Sequence, residues 1–506
     1  MGIKSLVKDT AIYGLSSIIG RFLNWCLVPL YTIMFPAAEY GVVTYIYSIV
    51  ALALIILTYG METGFFRFAK HEDYNPSQVY TTALSSIGFT SSLFMAIVLL
   101  FLTPIADAMN CGNTPSFVWI MAATVAIDAF TAIPFAYLRY KQRAMRFAIL
   151  KLVNIGVNIG LNLFFILACP WIWDTAPELI SWFYNPSYGI GYIFAANLIS
   201  SAIILLMLLP EIVGEKFSFN DKLLRTMLKF SFPLLIAGLA GVMNQHIDKI
   251  LYPSLIKDTH EAMTGLGIYG ANYKIAVVMI MFIQAFRFAY EPLMFSRKTD
   301  NREEKLKEYR NAMKFFIIFA LFIFLGVMFY LDFLKYFISP DYFEGLKVVP
   351  ILLVAELCYG IFFNLSLWYK NIDKTYWAII FTFTGFIVMV AINVLFVPIY
   401  GYIACAWAAL ACNIVMMLAS YIVGNIKNPI GYDTKRILSY VAVAYILYRS
   451  SFYVETPHFW LNIIIKTILL AIYVVIVMSQ EEIKPLALLH RKKIINETSK
   501  SNSNKP

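Results

Sequence analysis

The sequence predicts an all-α membrane protein of about fourteen transmembrane helices, two six-helix lobes followed by two further helices. Three observations carry this expectation. The 506 residues are 60% hydrophobic and 14% charged, with a mean hydropathy of +0.71, a balance foreign to soluble domains. The apolar residues gather into about fourteen runs, each near the roughly 20 residues that a spanning helix needs. The 40 lysines and arginines favour alternate loops.

The runs lie near 10–34, 42–66, 79–103, 115–138, 147–168, 188–209, 226–251, 268–293, 312–331, 345–368, 374–397, 401–423, 434–453 and 458–479. They are too continuous for barrel strands, which alternate over about 10 residues. The opening MGIKSLVKDT leads into a run too long for a signal-peptide core and lacks a small-residue cleavage site, so the first span is expected to remain. With the N-terminus in the cytoplasm, cytoplasmic segments hold about 31 of the 40 basic residues, including Arg139, Lys141, Arg143, Arg146 and the stretch from Arg297 to Lys314. Outer loops hold about four, Lys257, Lys335, Lys347 and Arg449, and the spans hold Arg21, Lys249, Lys274, Arg287 and Lys466. That asymmetry is the positive-inside rule, and it places both termini in the cytoplasm. The net charge of +10 is therefore topological and does not point to nucleic acid.

Cys26, Cys111, Cys169, Cys358, Cys405 and Cys412 have no metal or redox spacing. Cys111 and Cys169 fall on the outer side, where a disulfide is allowed, but small apolar packing residues are the plainer reading. Outside the polar tail, no extramembrane segment exceeds roughly 20 residues, which leaves no room for a soluble catalytic or nucleotide-binding domain. No GxxxxGK[ST] stretch is present. The expected divisions are 1–210 and 211–425 for the lobes, 426–482 for the last two spans and 483–506 for a cytoplasmic tail.

An internal repeat underlies the two lobes. Tyr40-Gly41 opens the second span and Glu62 follows 21 residues after the glycine; Tyr269-Gly270 opens the eighth, and Glu291 follows at the same spacing. LNLFFI (161–166) recurs as INVLFV (392–397), so the offsets are 229 and 231. The first span aligns with the seventh at 221, pairing Lys8 with Lys229 and Gly20 with Gly241. Six is an even number of spans, so both copies run in the same direction, and the site is expected between them.

Charged groups inside hydrocarbon are costly and mark functional or paired positions. Arg21 lies near mid-depth, with Ser17 and Asn24 on its helical face. Asp128, at similar depth in the fourth span, is its expected structural counter-charge. NQHIDK (244–249) sets Asn244 with Asp248 and Gln245 with Lys249 at i, i+4. Gln284, Arg287 and Glu291 share a stripe in the eighth span, and Lys274 lies about 100° around that helix. Glu356 and Lys466 complete the set. Arg21, Asn24, Lys249, Lys274, Arg287 and Lys466 are the candidate substrate contacts, although Lys466 also has the option of snorkelling to the interface. Asp128, Asp248 and Glu356 are candidates for coupling or for structural ion pairs. Glu62 and Glu291, near the cytoplasmic ends, suit a gate or an inter-helix clamp, and Arg67 is the nearest partner for Glu62 in sequence. The outer stretch 169–192 carries Trp171, Trp173 and Trp182, which suit interface anchors or sugar stacking.

The stretch DTAIYGLSSIIGRFLNWCLVPLYTIMFPAAEYGVVTYIYSIV followed by GMETGFFRFAK resembles the start of polysaccharide transporter proteins, and GIYGANYKIAVVMIMFIQAFRFAYEP resembles their eighth span. These proteins belong to the multidrug/oligosaccharidyl-lipid/polysaccharide (MOP) flippase superfamily. The resemblance implies two six-helix lobes around a cavity, in the manner of multidrug and toxic compound extrusion (MATE) transporters. It implies alternating-access transfer of undecaprenyl-diphosphate-linked oligosaccharide repeat units from the cytoplasmic to the periplasmic leaflet of a bacterial inner membrane, for polysaccharide or O-antigen biosynthesis. Membrane lipid and other polysaccharide-assembly proteins are the further expected partners. No cofactor or metal is expected, and sodium or a proton is the candidate coupling ion. The family has no invariant catalytic motif, so the site residues rest on depth and charge alone. A drug/cation antiporter and a lipid II flippase share the expected fold. A membrane-embedded polysaccharide polymerase or ligase is the alternative from another class, and the short loops and the lack of a DxD motif weigh against such an enzyme.

Overall fold

The computed structural model describes residue 14 and residues 18–296, 302–370, 372, 374–454 and 456–481, with backbone alone for 291–296. Every regular element among the described residues is a helix, and none is a strand. The helices corresponding to the fourteen runs are α1 (Ile18–Met34), α2 (Ala37–Phe68), α3 (Pro76–Leu100), α4 (Pro115–Tyr140), α5 (Ala144–Thr175), α6 (Gly191–Met207) and α7 (Asp221–Leu255). They continue as α8 (Thr259–Ser296), α9 (Arg302–Phe329), α10 (Pro340–Lys370), α11 (Tyr376–Tyr400), α12 (Tyr402–Lys427), α13 (Thr434–Tyr453) and α14 (Phe459–Gln480). Among the described residues, eleven are long and apolar enough to cross a membrane; α1 and α6 are shorter, and α13 is a less apolar helix of 20 residues. This is a multi-pass membrane protein.

Local chemistry explains where the helices start and bend. Asn75, Asn220 and Asp433 cap α3, α7 and α13, each side chain accepting a bond from a first-turn N–H. α1 breaks at Cys26 and Leu27, just before Pro29, whose ring cannot sit against a continuous helix. In α5 a π-turn over Phe164–Ala168 precedes Pro170. α2 is interrupted where Tyr59 and Gly60 adopt left-handed backbone, with φ of 32° and 70°. Glycine tolerates that conformation, and the chain re-enters a helix at Met61–Phe68.

The chain divides into two compact units, one of residues 1–298 and 335–429, the other of residues 299–334 and 430–506. In the larger unit α2 and α8, the helices that begin with the repeated Tyr-Gly, pack against each other. A Cβ on Gly41 would overlap the Met263 carbonyl, one on Gly267 the Ala37 carbonyl, and one on Gly270 the Thr44 side chain. Inside a membrane, helices gain by van der Waals packing, so small residues at a crossing let backbones approach. The repeat also shows in reciprocal contacts. Gly14 meets Phe288 of α8, and Gly60 of α2 meets Leu234 and Leu235 of α7. Adding 221 to 14 gives 235, and subtracting 229 from 288 gives 59, so the two contacts are near-equivalents.

The sides of the membrane are named below as the lysine and arginine count assigns them. At the outer side Tyr342, in the 3₁₀ lead-in Pro340–Val348 of α10, donates to the Phe35 carbonyl at 2.9 Å and meets Tyr40 edge-on. At the inner side Leu57, Met61, Phe65 and Phe68 of α2 pack with Val79, Tyr80, Ala129 and Ile133 of α3 and α4, and with Leu223 and Met227 of α7. The Tyr80 and Tyr137 rings stack at 4.2 Å beside Phe65. Outside the spans, Glu215 ties the α6–α7 connection to α3 and α4, accepting from Tyr137 and, at 2.7 Å, from Ser77. Those bonds, Tyr137's first, hold its carboxyl below the usual glutamate range.

The smaller unit joins α9 to α13 and α14. Tyr473 donates to the Ile318 carbonyl at 3.0 Å, and the Phe324 and Tyr448 rings meet at 5.4 Å. Glu481 collects Lys314 at 2.5 Å, Arg436 at 3.1 Å and the Tyr440 hydroxyl at 2.5 Å. Towards the other end of α14, Lys466 pairs with Asp332 at 2.9 Å.

Candidate functional site

α1 brings its polar face between α5 and α8. Asn24 receives a long bond from the Asn158 amide at 3.5 Å, and the Trp25 indole donates to the Lys274 carbonyl at 2.7 Å. The same indole stacks on Phe337 at 3.9 Å. Arg21 and Asn24 are exposed on the protein surface. Ser17, their expected neighbour, lies outside the described residues. Arg21 forms no ion pair with any described residue, and the nearest charge it feels is the like charge of Arg287.

Arg287 is partly buried, with its guanidinium 4.0 Å above the Phe363 ring and no carboxylate partner among the described residues. An aromatic face holds the cation without neutralising it. Lys274 is partly buried and likewise lacks an acid; the charge that reaches it is that of Lys249. The Glu291 side chain lies outside the described residues.

Lys249 differs from these three. It is buried, 3.1 and 3.2 Å from the two oxygens of Asp248 and 2.9 Å from the Gln245 carbonyl, and it lies 4.3 Å above the Tyr273 ring. Asp248 also accepts from the Tyr269 hydroxyl at 2.7 Å. Tyr273 donates to Glu356 at 3.1 Å, which links α7, α8 and α10 in one polar network. The expected Gln245–Lys249 pairing is realised through the Gln245 backbone. Asn244 turns away from Asp248 and donates to the Thr382 carbonyl at 2.9 Å.

Asp128 is not beside Arg21. It accepts from Ser201 at 2.7 Å, and the cation whose field reaches it is Lys151 of α5. Lys151 lies 4.0 Å above the Phe135 ring and was missed by the count of charges within spans, as it sits only two turns into its helix. Glu62 pairs with Arg139 at the end of α4, while Arg67 rests 4.3 Å above Phe230. The Glu62–Arg139 ion pair joins α2 to α4. Lys466 belongs to the smaller unit, paired with Asp332 as above. Cys111 and Cys169 are free thiols, and no group of three His, Cys, Asp or Glu among the described residues is placed to hold a metal ion.

The charged groups placed so far in the larger unit's spans, Glu62 and its partner Arg139 aside, are the cations Arg21, Lys151, Lys249, Lys274 and Arg287 and the carboxylates Asp128, Asp248 and Glu356. Lys249 is directly paired and Lys151 faces Asp128. Arg21, Lys274 and Arg287 are left over. Aromatic neighbours of this set, Trp25, Tyr273 and Phe363, carried no sequence signal apart from their helical register.

Helices of this order and packing form a fold that solved membrane proteins share. The structure is similar to a lipid II flippase MurJ in an inward closed conformation, with a TM-score of 0.68 at 15% identity over 94% of this chain and 99% of that one. It is also similar to an inward-facing multidrug resistance MATE family transporter of the MOP superfamily, with a TM-score of 0.63 at 15% identity over 82% of this chain and 94% of that one. Comparison with curated protein sequences gives no match. Residues 6–296 match the model of a family described as polysaccharide biosynthesis protein, and the chain belongs to that family.

Proposed function

We propose that this protein is an inner-membrane flippase that moves undecaprenyl-diphosphate-linked oligosaccharide repeat units from the cytoplasmic to the periplasmic leaflet by alternating access, without covalent chemistry. The observation that supports the reading is a set of three cations, Arg21, Lys274 and Arg287, that have no acid partner among the described residues. An arginine facing lipid at mid-depth costs several kcal/mol, so an exposed and unpaired Arg21 fits a water-filled path between the lobes. A diphosphate is the anion such a path suits, since guanidinium and ammonium groups form charge-assisted bonds to its oxygens. The polyprenyl tail can stay in lipid while the polar head crosses. Family membership favours a lipid-linked polysaccharide precursor over lipid II, and the excess of cations disfavours a cationic drug as cargo.

The test is a leaflet-resolved assay of lipid-linked oligosaccharide in cells with and without the protein. Depletion should leave the repeat unit in the cytoplasmic leaflet. Unchanged partition between leaflets would exclude the reading.

A further inference from the structure

Two mid-depth acids, Asp128 in α4 and Glu356 in α10, stand at roughly equivalent places in the two copies, and their surroundings differ. Asp128 is bonded by Ser201 and lies within the field of one cation, Lys151. The second-copy cluster contains two acids, Asp248 and Glu356, and one ammonium bound between acid and backbone. Lys249 spends its donors on Asp248 and the Gln245 carbonyl and rests its charge on the Tyr273 ring. Glu356 is left with one donor among the described residues, the Tyr273 hydroxyl at 3.1 Å. A carboxylate ion in a span with a single neutral donor is poorly compensated, whereas a carboxylic acid there is not. Among the described residues no cation contacts Glu356 directly: Lys249 is held by Asp248 and the Gln245 carbonyl, and the nearby Lys274 has no bond to either acid.

We propose that Glu356 is a proton-binding site that carries an exchangeable proton in this conformation, with Lys249 as a tethered cation shared between Asp248 and Glu356. When the proton leaves, Glu356 becomes the stronger attractor, and the ammonium shifts across the Tyr273 face towards it. The proton passes between water and the Glu356 carboxyl, and no other bond is made or broken. The inference rests on the flippase reading only in assigning this proton a place in the transport cycle; the proton itself follows from the cluster.

Other charged and titratable groups border the site. From α7, His246 precedes Asp248 by two residues, with its Nδ1 buried and without a partner among the described residues. From α8, Lys274 approaches Lys249. Tyr359, on α10 itself, feels both Glu356 and Arg287 and is bonded by Gln245. From α12, Cys405 and Cys412 feel Asp248. None of these is an acid that could take over the charge of Glu356.

Infrared spectroscopy of the purified full-length protein in lipid nanodiscs tests this directly, because a protonated carboxyl has its own carbonyl stretch. The wild type should show such a band, lost on raising the pH, and Glu356→Gln should remove it. Asp248→Asn should remove it as well, since Lys249 is then free to neutralise Glu356. Lys249→Met should strengthen the band, because two acids then lack a cation. Asp128→Asn and His246→Gln should leave it in place. A band that survives Glu356→Gln, or that is untouched by Asp248→Asn, overturns the proposal. In vesicles, transport by Glu356→Gln should no longer respond to a pH gradient. A response equal to wild type sinks the proton's role and leaves the flippase reading standing. A wild type that shows the band but moves no lipid-linked oligosaccharide sinks the flippase reading alone.

Discussion

Among the described residues, Arg21, Lys274 and Arg287 have no acid paired with them, whereas Lys249 has Asp248. Arginine presents five donors in a rigid fork and stays charged at physiological pH. Arg21→Ala should therefore abolish flipping in a protein that still inserts and accumulates, and Arg21→Lys should recover only part of it, as lysine keeps the charge and loses the fork. Adding Asp128→Asn should restore nothing, because Asp128 bonds Ser201 and faces Lys151. Rescue by that second change, read by the leaflet assay and by protein level, would return Arg21 to a structural role. Glu215 gives a pH prediction outside the spans. Its folded pKa is depressed, so its contribution is present above the ordinary value of 4.5 and is lost as the pH falls through the depressed value. Hydrogen exchange across residues 209–220 should accelerate in acid below 4.5, and Glu215→Gln should remove that acid dependence. At this scale, depth and helical face singled out Arg21, Asn24 and Arg287 as candidates, but partners from distant helices were not legible. Arg67 follows Glu62 by five residues, about 140° around a helix, so the two point apart. Arg139, 77 positions away, takes the place expected of Arg67.

Among the helices, the α2–α8 crossing makes the sharpest demand on sequence. Gly41 and Gly267 each bring a backbone against a facing carbonyl, where side-chain adjustment cannot make room. Overpacking a tight site costs typically about 1–3 kcal/mol, and a backbone clash should reach the upper end. Gly41→Val should lower the unfolding temperature and the yield, while Gly156→Val in α5, where a Cβ meets nothing within 4 Å, should leave both unchanged. Equal effects from the two changes would contradict the close crossing. The repeated Tyr-Gly spacing was visible in sequence because it recurs at a nearly constant offset. That these two helices pack against each other was not, since an offset says which elements correspond and not which surfaces meet. Pro29 follows the break in α1 and Pro170 follows the π-turn in α5. The grouping of α9 with α13 and α14 left no periodic trace, because it depends on contacts such as Tyr473 with Ile318 and Lys466 with Asp332.

For the molecule as a whole, the charge asymmetry that sets topology and the cation excess that suits the cargo come from different residues and fail independently. Cysteine labelling should reach positions in 169–187 from outside and positions from Arg297 to Lys314 from inside; labelling both from one side would overturn the assigned topology. The approximate number of helices was legible because hydrocarbon thickness fixes helix length. The neutralised state of Lys249 was not, because Asp248 precedes it by one residue and adjacent residues on a helix do not normally face each other. Here the long lysine side chain curls back to its neighbour, with Tyr269 steadying the carboxylate. The most direct test of the central claim uses purified protein in liposomes loaded with a fluorescent undecaprenyl-diphosphate oligosaccharide, with leaflet accessibility followed in time. Wild-type protein should move the diphosphate-linked lipid. A variant with Arg21, Lys274 and Arg287 all changed to glutamine should be folded yet slower by at least about a hundredfold, the equivalent of roughly 3 kcal/mol. Equal rates for the two proteins would contradict the claim that these unpaired cations carry an anionic cargo.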